Sequence, residues 1–262
     1  MKQEKLAVYS GTRNLYPHMV TAAKSLIANS NVERVVLLIE DESFPLDLPD
    51  MIETIDVHGQ QWFGEKSANI KTDFSYMSLL RVCYTKLLPD VGRVLQLDVD
   101  TVVVDDISEL WEVRMDGAWF AAVREPPRYV GDGDKRRRID FKPWGEDYFN
   151  IGVAMFNLAK IREDGQDDWL IHVLNTERLR WIDQDAWNKY HKQRYVDLPA
   201  RFNESMVTGY TDRPAIVHFA GYGNAWIDPD DPKHREIPRL EHLRKYREMS
   251  WDEALELHAR LV

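Results

Sequence analysis

Apolar positions in this chain fall into short continuous runs separated by stretches of helical period. Residues 6–10, Leu-Ala-Val-Tyr-Ser, form a first run of strand length, and residues 34–39, Arg-Val-Val-Leu-Leu-Ile, form a second. An unbroken apolar run of this length is the pattern of a strand covered on both faces. Residues 20–28 lie between them, with Ala22, Ala23, Leu26 and Ile27 at helical spacing. Residues 52–57 suggest a third short strand. A long amphipathic helix is predicted over 75–88, with Leu79, Leu80, Cys83 and Leu87 on one side and Pro89 as its stop. Further strands are predicted at 118–123, 149–156 and 215–219, and helices at 169–179, 184–192 and from about 237 to the end. Asn157 is a candidate helix cap. Strand, helix and fully apolar strand in succession indicate an α/β chain with a parallel sheet and crossover helices.

One stretch carries both this pattern and candidate chemistry. Arg93-Val94-Leu95-Gln96-Leu97-Asp98-Val99-Asp100-Thr101 reads as a buried strand that ends on two carboxylates. Residues two apart in an extended chain point the same way, roughly 6.5–7 Å apart. Asp98 and Asp100 therefore share a face at the carboxyl end of a strand, where ligands of open parallel sheets bind. Two buried like charges need a cation, and a hard divalent ion that also holds phosphate oxygens is the natural one.

Composition narrows the picture. The chain has 262 residues, of which 44% are hydrophobic, enough for one large packed domain. A net charge of -10 argues against sequence-independent nucleic-acid binding, which needs basic surface. The 9 Trp and 11 Tyr suit a carbohydrate-handling surface as well as an ordinary core. Cys83 is the single cysteine, so no intrachain disulfide forms, and its apolar neighbours place it in the core. The leading residues Met1 to Lys5 run straight into the first strand, too briefly for a signal peptide. No segment has the roughly 18–20 apolar residues of a membrane span. A soluble, cytoplasmic protein is the expectation.

Four segments, in order, resemble the retaining glycosyltransferases of family 8, which include glycogenin and bacterial galactosyltransferases of lipooligosaccharide synthesis. They are Tyr76-x-x-x-x-Arg81 followed by the Asp98-Val99-Asp100 strand; Phe149-Asn150-Ile151-Gly152-Val153, similar to Phe-Asn-x-Gly-Val; Asp183-Gln184-Asp185-x-x-Asn188, similar to Asp-Gln-Asp-x-x-Asn; and Val217-His218-Phe219-x-Gly221 with Trp226, similar to His-Phe-x-Gly-x-x-Lys-Pro-Trp. The resemblance implies a GT-A fold: one Rossmann-like domain over 1–226, its mostly parallel sheet flanked by helices on both faces, followed by a helical C-terminal tail over 227–262. Within it, 1–104 is the nucleotide-binding half and 105–226 the sugar and acceptor half. The resemblance also implies a nucleotide-sugar donor, usually a UDP-sugar, bound with Mn2+. By that analogy Asp98, Asp100 and His218 hold the metal. The imidazole favours Mn2+, while the carboxylates also suit Mg2+. Asp183 binds sugar hydroxyls and Gln184 lies by the anomeric carbon. The implied donor contacts are Tyr9, Asn14, Tyr16, Arg81, Asp98, Val99, Asn150, Gly152, Gly221 and Asn224.

The chain departs from the family pattern in places. Asn224 stands where the family has the lysine that neutralises the diphosphate, and Ala225 where it has proline. Arg81, Arg13 or the run Lys135-Arg136-Arg137-Arg138 are candidate substitutes. That departure keeps open a catalytically weak or inactive member that binds a sugar nucleotide or a glycan. A second alternative is a haloacid-dehalogenase-type phosphatase, whose hydrophobic-Asp-x-Asp-x-Thr signature Leu97 to Thr101 fits, although its later motifs are not evident. The acceptor, a glycan or lipid-linked saccharide, is expected among the loops 126–148 and 201–210, with Trp144, Tyr148 and Phe202 as stacking rings. The amphipathic tail, with Trp251, Leu255 and Leu261 as docking residues, allows packing on the domain, homodimerisation or contact with a membrane surface, packing being the default.

Overall fold

Every second residue of strand β1 (Leu6–Ser10) faces the same way, and both faces are apolar. Leu6 and Val8 join one hydrophobic cluster, Ala7 and Tyr9 the other. β2 (Arg34–Ile39) divides likewise, with Val36 and Leu38 on the first face and Val35, Leu37 and Ile39 on the second. A sheet with two apolar faces must be covered twice. The computed structural model, which describes residues 4–44, 47–126, 129–130, 137–138, 147–221 and 227–262, meets that demand.

The central sheet has the strand order β10-β6-β9-β4-β1-β2-β3. Its other members are β3 (Ile52–Asp56), β4 (Val94–Leu97), β6 (Phe120–Arg124), β9 (Phe149–Phe156) and β10 (Tyr195–Asp197). β1 pairs in parallel with β2 and β4, as do β2 with β3 and β10 with β6. β9 runs antiparallel to both β4 and β6. Outside this sheet, β5 (Thr101–Val103) pairs antiparallel with β11 (Ile216–His218), and β7 (Tyr129–Val130) with β8 (Arg137–Arg138).

One face is covered by α1 (Tyr16–Asn29) and, across it, by α7 (Leu240–Glu248) and α8 (Trp251–His258). The tail is held there by Asn29, which donates to the Tyr246 hydroxyl at 2.7 Å, and by Lys24, whose Nζ lies 5.4 Å from the Trp251 ring centre. Trp251 and Leu255 pack on the core, whereas Leu261 is exposed. The other face is covered by α2 (Tyr84–Leu87), α4 (Leu158–Asp164), α5 (Gln166–Thr176) and α6 (Ile182–Tyr190). A short α3 (Ser108–Trp111) follows β5. No helix among the described residues is long and apolar enough to cross a membrane.

The helix expected over 75–88 is corrected. Tyr76–Cys83 is a 3₁₀ helix, and only Tyr84–Leu87 is α-helical. The buried set explains the tightening. Met77, Leu79, Leu80, Val82 and Cys83 are all buried. At three residues per turn they fall into two adjacent rows, whereas an α-helix would spread them around more than half its girth. The opposite side is left to Arg81.

Candidate functional site

β4 ends where the expected acidic turn begins. Asp98 continues the ladder, its N–H donating to Gly152 O at 2.7 Å, and Thr101 closes the turn by donating from its hydroxyl to Asp98 O at 2.7 Å. Antiparallel pairing of β5 with β11 sets His218 opposite Thr101, and Phe219 N–H donates to Asp100 O at 2.9 Å. The pairing carries an imidazole from 118 positions later onto the two carboxylates. His218 Nε2 lies 3.2 Å from Asp100 Oδ1 and 3.7 Å from Asp98 Oδ2. One ligand atom from each of the three residues fits within 4.8 Å of the others.

Asp98 is oriented from the opposite side. Its Oδ1 accepts from Arg81 Nη2 and from Gln96 Nε2, the latter at 3.1 Å, so Oδ2 is the oxygen turned to His218. Gln96 is in turn held by the Tyr84 hydroxyl. A glutamine inside an apolar strand is the local signal that could have pointed to this support, and it was not read as one. Arg81 forks between Asp98 and Asp183, reaching Asp183 Oδ2 at 3.2 Å, while its own Nε is buried without a partner among the described residues.

Gly152 sits in a break of register. Ala122 pairs with Ala154, but the next residue, Val123, pairs with Asn150. Such bulges re-aim side chains beside active sites. A Cβ on Gly152 would fall inside van der Waals distance of His218 Cε1, 2.7 Å from Asp98 Oδ2 and 3.0 Å from Asn150 Oδ1. The missing side chain is the space into which two of the three candidate ligands turn.

The charges are mutually adjusted. Burial drives Asp98 above the usual carboxylate range and Asp100 adds to this, against the pull of Arg81. Burial acts on Asp100 too, but His218 outweighs it and holds that carboxyl low. Burial disfavours a charged His218, yet Asp100 and Asp98 raise it on balance. Asp183 is pushed up to about 7 by burial, with Arg81 opposing and Asp98 adding. Two carboxylates and an imidazole nitrogen in this arrangement suit a divalent ion of the Mn2+ or Mg2+ kind.

Asp183 and Gln184 open α6 beside this cluster. Gln184 Oε1 accepts from Ile151 N–H at 3.1 Å, and its Nε2 donates to Glu125 Oε1 at 3.2 Å and to the Tyr148 hydroxyl at 3.3 Å. Asn188 clamps the same strand, exchanging bonds with Phe149 N–H and C=O. Glu125, not anticipated from the sequence, is buried and also accepts from Asn150 at 2.9 Å.

Several expected site residues turn their side chains away from the cluster. Tyr9 is a core residue whose hydroxyl donates to Ala22 O at 3.2 Å. Tyr16 packs on Phe44 and accepts from the Glu40 and Asp41 N–H groups, bracing the loop after β2. Val99 is buried against the core, while Asn14 is exposed and accepts from Thr12. Arg13 is not a spare cation, because Asp41 and Ser43 hold it. Tyr148 and Phe202 are buried, so neither ring can stack on a sugar. The 201–210 stretch is chiefly scaffold: Glu204 N–H donates to Ile216 O and His218 N–H to Glu204 O. Gly221, at φ +94°, is described, but Asn224, Ala225, Trp226, Trp144, Lys135 and Arg136 lie outside the described residues, as do the side chains of Arg137 and Arg138. Among the described residues, Phe74 and Trp181 form an exposed aromatic pair at the α6 start, ring centres 5.6 Å apart.

A sequence profile described as Glycosyl transferase family 8 matches residues 7–229. "Probable glycosyl transferase Gly" of Streptococcus gordonii is 27% identical over 180 residues, 65% of this chain and 24% of its own length. "Glycosyltransferase GlyA" of Streptococcus pneumoniae is 24% identical over 252 residues, 90% of this chain and 34% of its own length. The chain thus spans about a quarter to a third of these relatives. A solved structure of the galactosyltransferase LgtC, in complex with donor and acceptor sugar analogues, superposes with a TM-score of 0.67 at 20% identity, over 92% of this chain and 95% of that one. The likeness is one of fold, and it agrees with the expected GT-A architecture.

Proposed function

The chain belongs to glycosyl transferase family 8, and on that footing we propose that it transfers a hexose, with retention of configuration, from a UDP-sugar type of donor to a hydroxyl of a glycan or lipid-linked saccharide. The observation that carries this reading is the convergence of Asp98, Asp100 and His218 with the Arg81–Asp183 pair at the carboxyl end of β4. In this reading residues 1–104 supply the nucleotide half and 105–226 the sugar and acceptor half.

Asp98, Asp100 and His218 would hold Mn2+, or Mg2+ in its place. A bound divalent ion supplies Lewis-acid stabilisation of the charge that develops on the leaving diphosphate. The remaining work falls to the chain. Arg81 adds positive charge to the same wall of the cleft and spaces Asp98 from Asp183. Asp183 accepts from sugar hydroxyls and orients the ring. Gln184 is locked at both ends of its amide, yet its Oε1 keeps a second lone pair beyond the Ile151 bond. That oxygen faces the positive charge that builds at the anomeric carbon. An amide is a poor nucleophile, so the incoming hydroxyl attacks on the face the leaving group vacates, giving its proton to the departing phosphate. Phe74 and Trp181 offer flat apolar rings beside α6 for an acceptor sugar.

Melting curves with UDP, GDP, CDP and ADP, each with and without Mn2+, test the reading. A ligand that binds only the folded chain raises the melting temperature by mass action. The expected result is a shift for UDP that requires Mn2+ and is lost in Asp100→Ala, followed by transfer from a UDP-sugar. A shift for another nucleotide replaces the donor. UDP binding without hydrolysis or transfer gives the non-catalytic reading that Asn224 keeps open. No shift with any nucleotide overturns the proposal.

A further inference from the structure

The backbone N–H of Gly152 can only donate, and it donates to Asn150 Oδ1 at 3.1 Å. The oxygen of the Asn150 amide is thereby fixed, and its Nδ2 turns away to donate to the Glu125 carboxylate at 2.9 Å. Asn203 approaches the same Asn150 oxygen at 2.9 Å and must present Nδ2 to it. The oxygen of Asn203 then faces the other way, 2.8 Å from Nδ1 of His218. An amide oxygen only accepts, so Nδ1 carries the hydrogen. Nδ1–H is thus kept by Asn203, and Nε2, which faces the acceptor oxygens of Asp98 and Asp100, is the nitrogen that gives up its hydrogen when the ring becomes neutral or takes a divalent ion.

We propose that Asn203 is a positioning residue: it hands the polarity of the Gly152 backbone on to His218 and holds that ring in the Nδ1–H form, with Nε2 ready to ligate a divalent ion. The inference rests on the metal site read above and goes beyond it by assigning how the imidazole is set. Asn203 is fully buried and makes no contact with a reacting group in this arrangement. Its backbone is tied separately, donating to Ala200 O at 3.0 Å and accepting from the Thr208 hydroxyl. The side chain is thus spare for the His218 contact. Loss of the amide or carboxylate that orients a ligating histidine typically costs about 10–100-fold in metal affinity.

The test is 15N–1H correlation of the His218 ring in metal-free protein, followed with rising pH until the spectra show that the ring has lost its second proton, together with Mn2+ titration followed by electron paramagnetic resonance. The wild type is expected to show the Nδ1–H form. Asn203→Leu, of similar volume but with no acceptor, is expected to move the ring towards the Nε2–H form and to weaken Mn2+ binding about 10–100-fold. Asn203→Asp keeps an acceptor at Nδ1 and is expected to keep the Nδ1–H form. A wild-type ring in the Nε2–H form overturns the proposal without any variant, so a Leu variant that fails to fold does not shield it. An Asn203→Leu protein with wild-type tautomer and wild-type Mn2+ affinity also overturns it. Absence of Mn2+ binding in the wild type instead refutes the metal reading, while the tautomer still decides the role of Asn203.

Discussion

Alanine at position 152 puts a methyl group into the space shared by His218, Asp98 and Asn150. The new Cβ would lie 2.7 Å from Asp98 Oδ2 and 3.0 Å from Asn150 Oδ1, and closer still to His218 Cε1. None of the three neighbours can withdraw cheaply. His218 is held through Asn203, Asp98 by Arg81 and Gln96, and Asn150 by Glu125, Asn203 and Gly152 itself. Overpacking of this kind costs about 1–3 kcal/mol. Replacing glycine stabilises by about 0.4–1 kcal/mol through the unfolded chain. A net loss of about 1–2 kcal/mol follows, or a fall in melting temperature of about 2–6 °C for a chain of this size. Because the displaced groups are candidate ligands, Mn2+ affinity is expected to drop about 10–100-fold as well. Calorimetric melting and Mn2+ titration of Gly152→Ala measure both effects. His218→Ala added to Gly152→Ala removes the worst contact, and a double-mutant cycle should return a coupling of about 1–2 kcal/mol. A Gly152→Ala protein that melts and binds Mn2+ like the wild type, or a cycle with no coupling, would refute the reasoning.

Three further outcomes are expected. Arg81→Ala leaves Asp98 and Asp183 uncompensated and should cost about 3 kcal/mol in urea unfolding, the lower end of the range for buried pairs because Asp98 is 23% exposed at its side chain; Arg81→Lys restores the charge but not the fork, and recovers under half. Asp183→Asn separates stability from activity: a carboxyl with a folded value of about 7 against an ordinary 3.8 destabilises the fold as pH rises from about 4 to 7 and fully above that. The variant should therefore match the wild type near pH 4, gain up to about 4 kcal/mol at pH 8, and lose transfer; a pH-independent difference in denaturation midpoint would refute this. Trp181→Ala, at a residue 40% exposed, should leave stability within about 0.5 kcal/mol and donor affinity unchanged while raising the acceptor KM; an unchanged KM removes this ring from the acceptor site.

The candidate site was legible in the sequence where chemistry and local pattern coincide. Asp98 and Asp100 follow an apolar strand directly, and β9 and α6 carry their polar residues in short ordered motifs. Tyr9 and Tyr16 sit beside the expected mouth in sequence, but alternation along β1 and the turn of α1 send both rings into the core. The loop at 201–210 was expected at the acceptor, yet pairing with β11 makes it the frame of His218. No local pattern distinguishes Asn203 or Glu125, since each matters only through partners 15 to 53 positions away for Asn203 and 25 to 59 for Glu125.

Sequence by itself determined the family, the α/β class and the two carboxylates, because strand-length apolar runs and short motifs are properties of neighbouring residues. Only the tertiary structure decided which way those groups face. The bulge at Gly152, the Arg81 fork between Asp98 and Asp183, and the polarity running from Gly152 through Asn150 and Asn203 to His218 all join distant segments. A buried hydrogen bond has a donor end and an acceptor end, and that direction is set by the partner that folding brings, not by the residue alone.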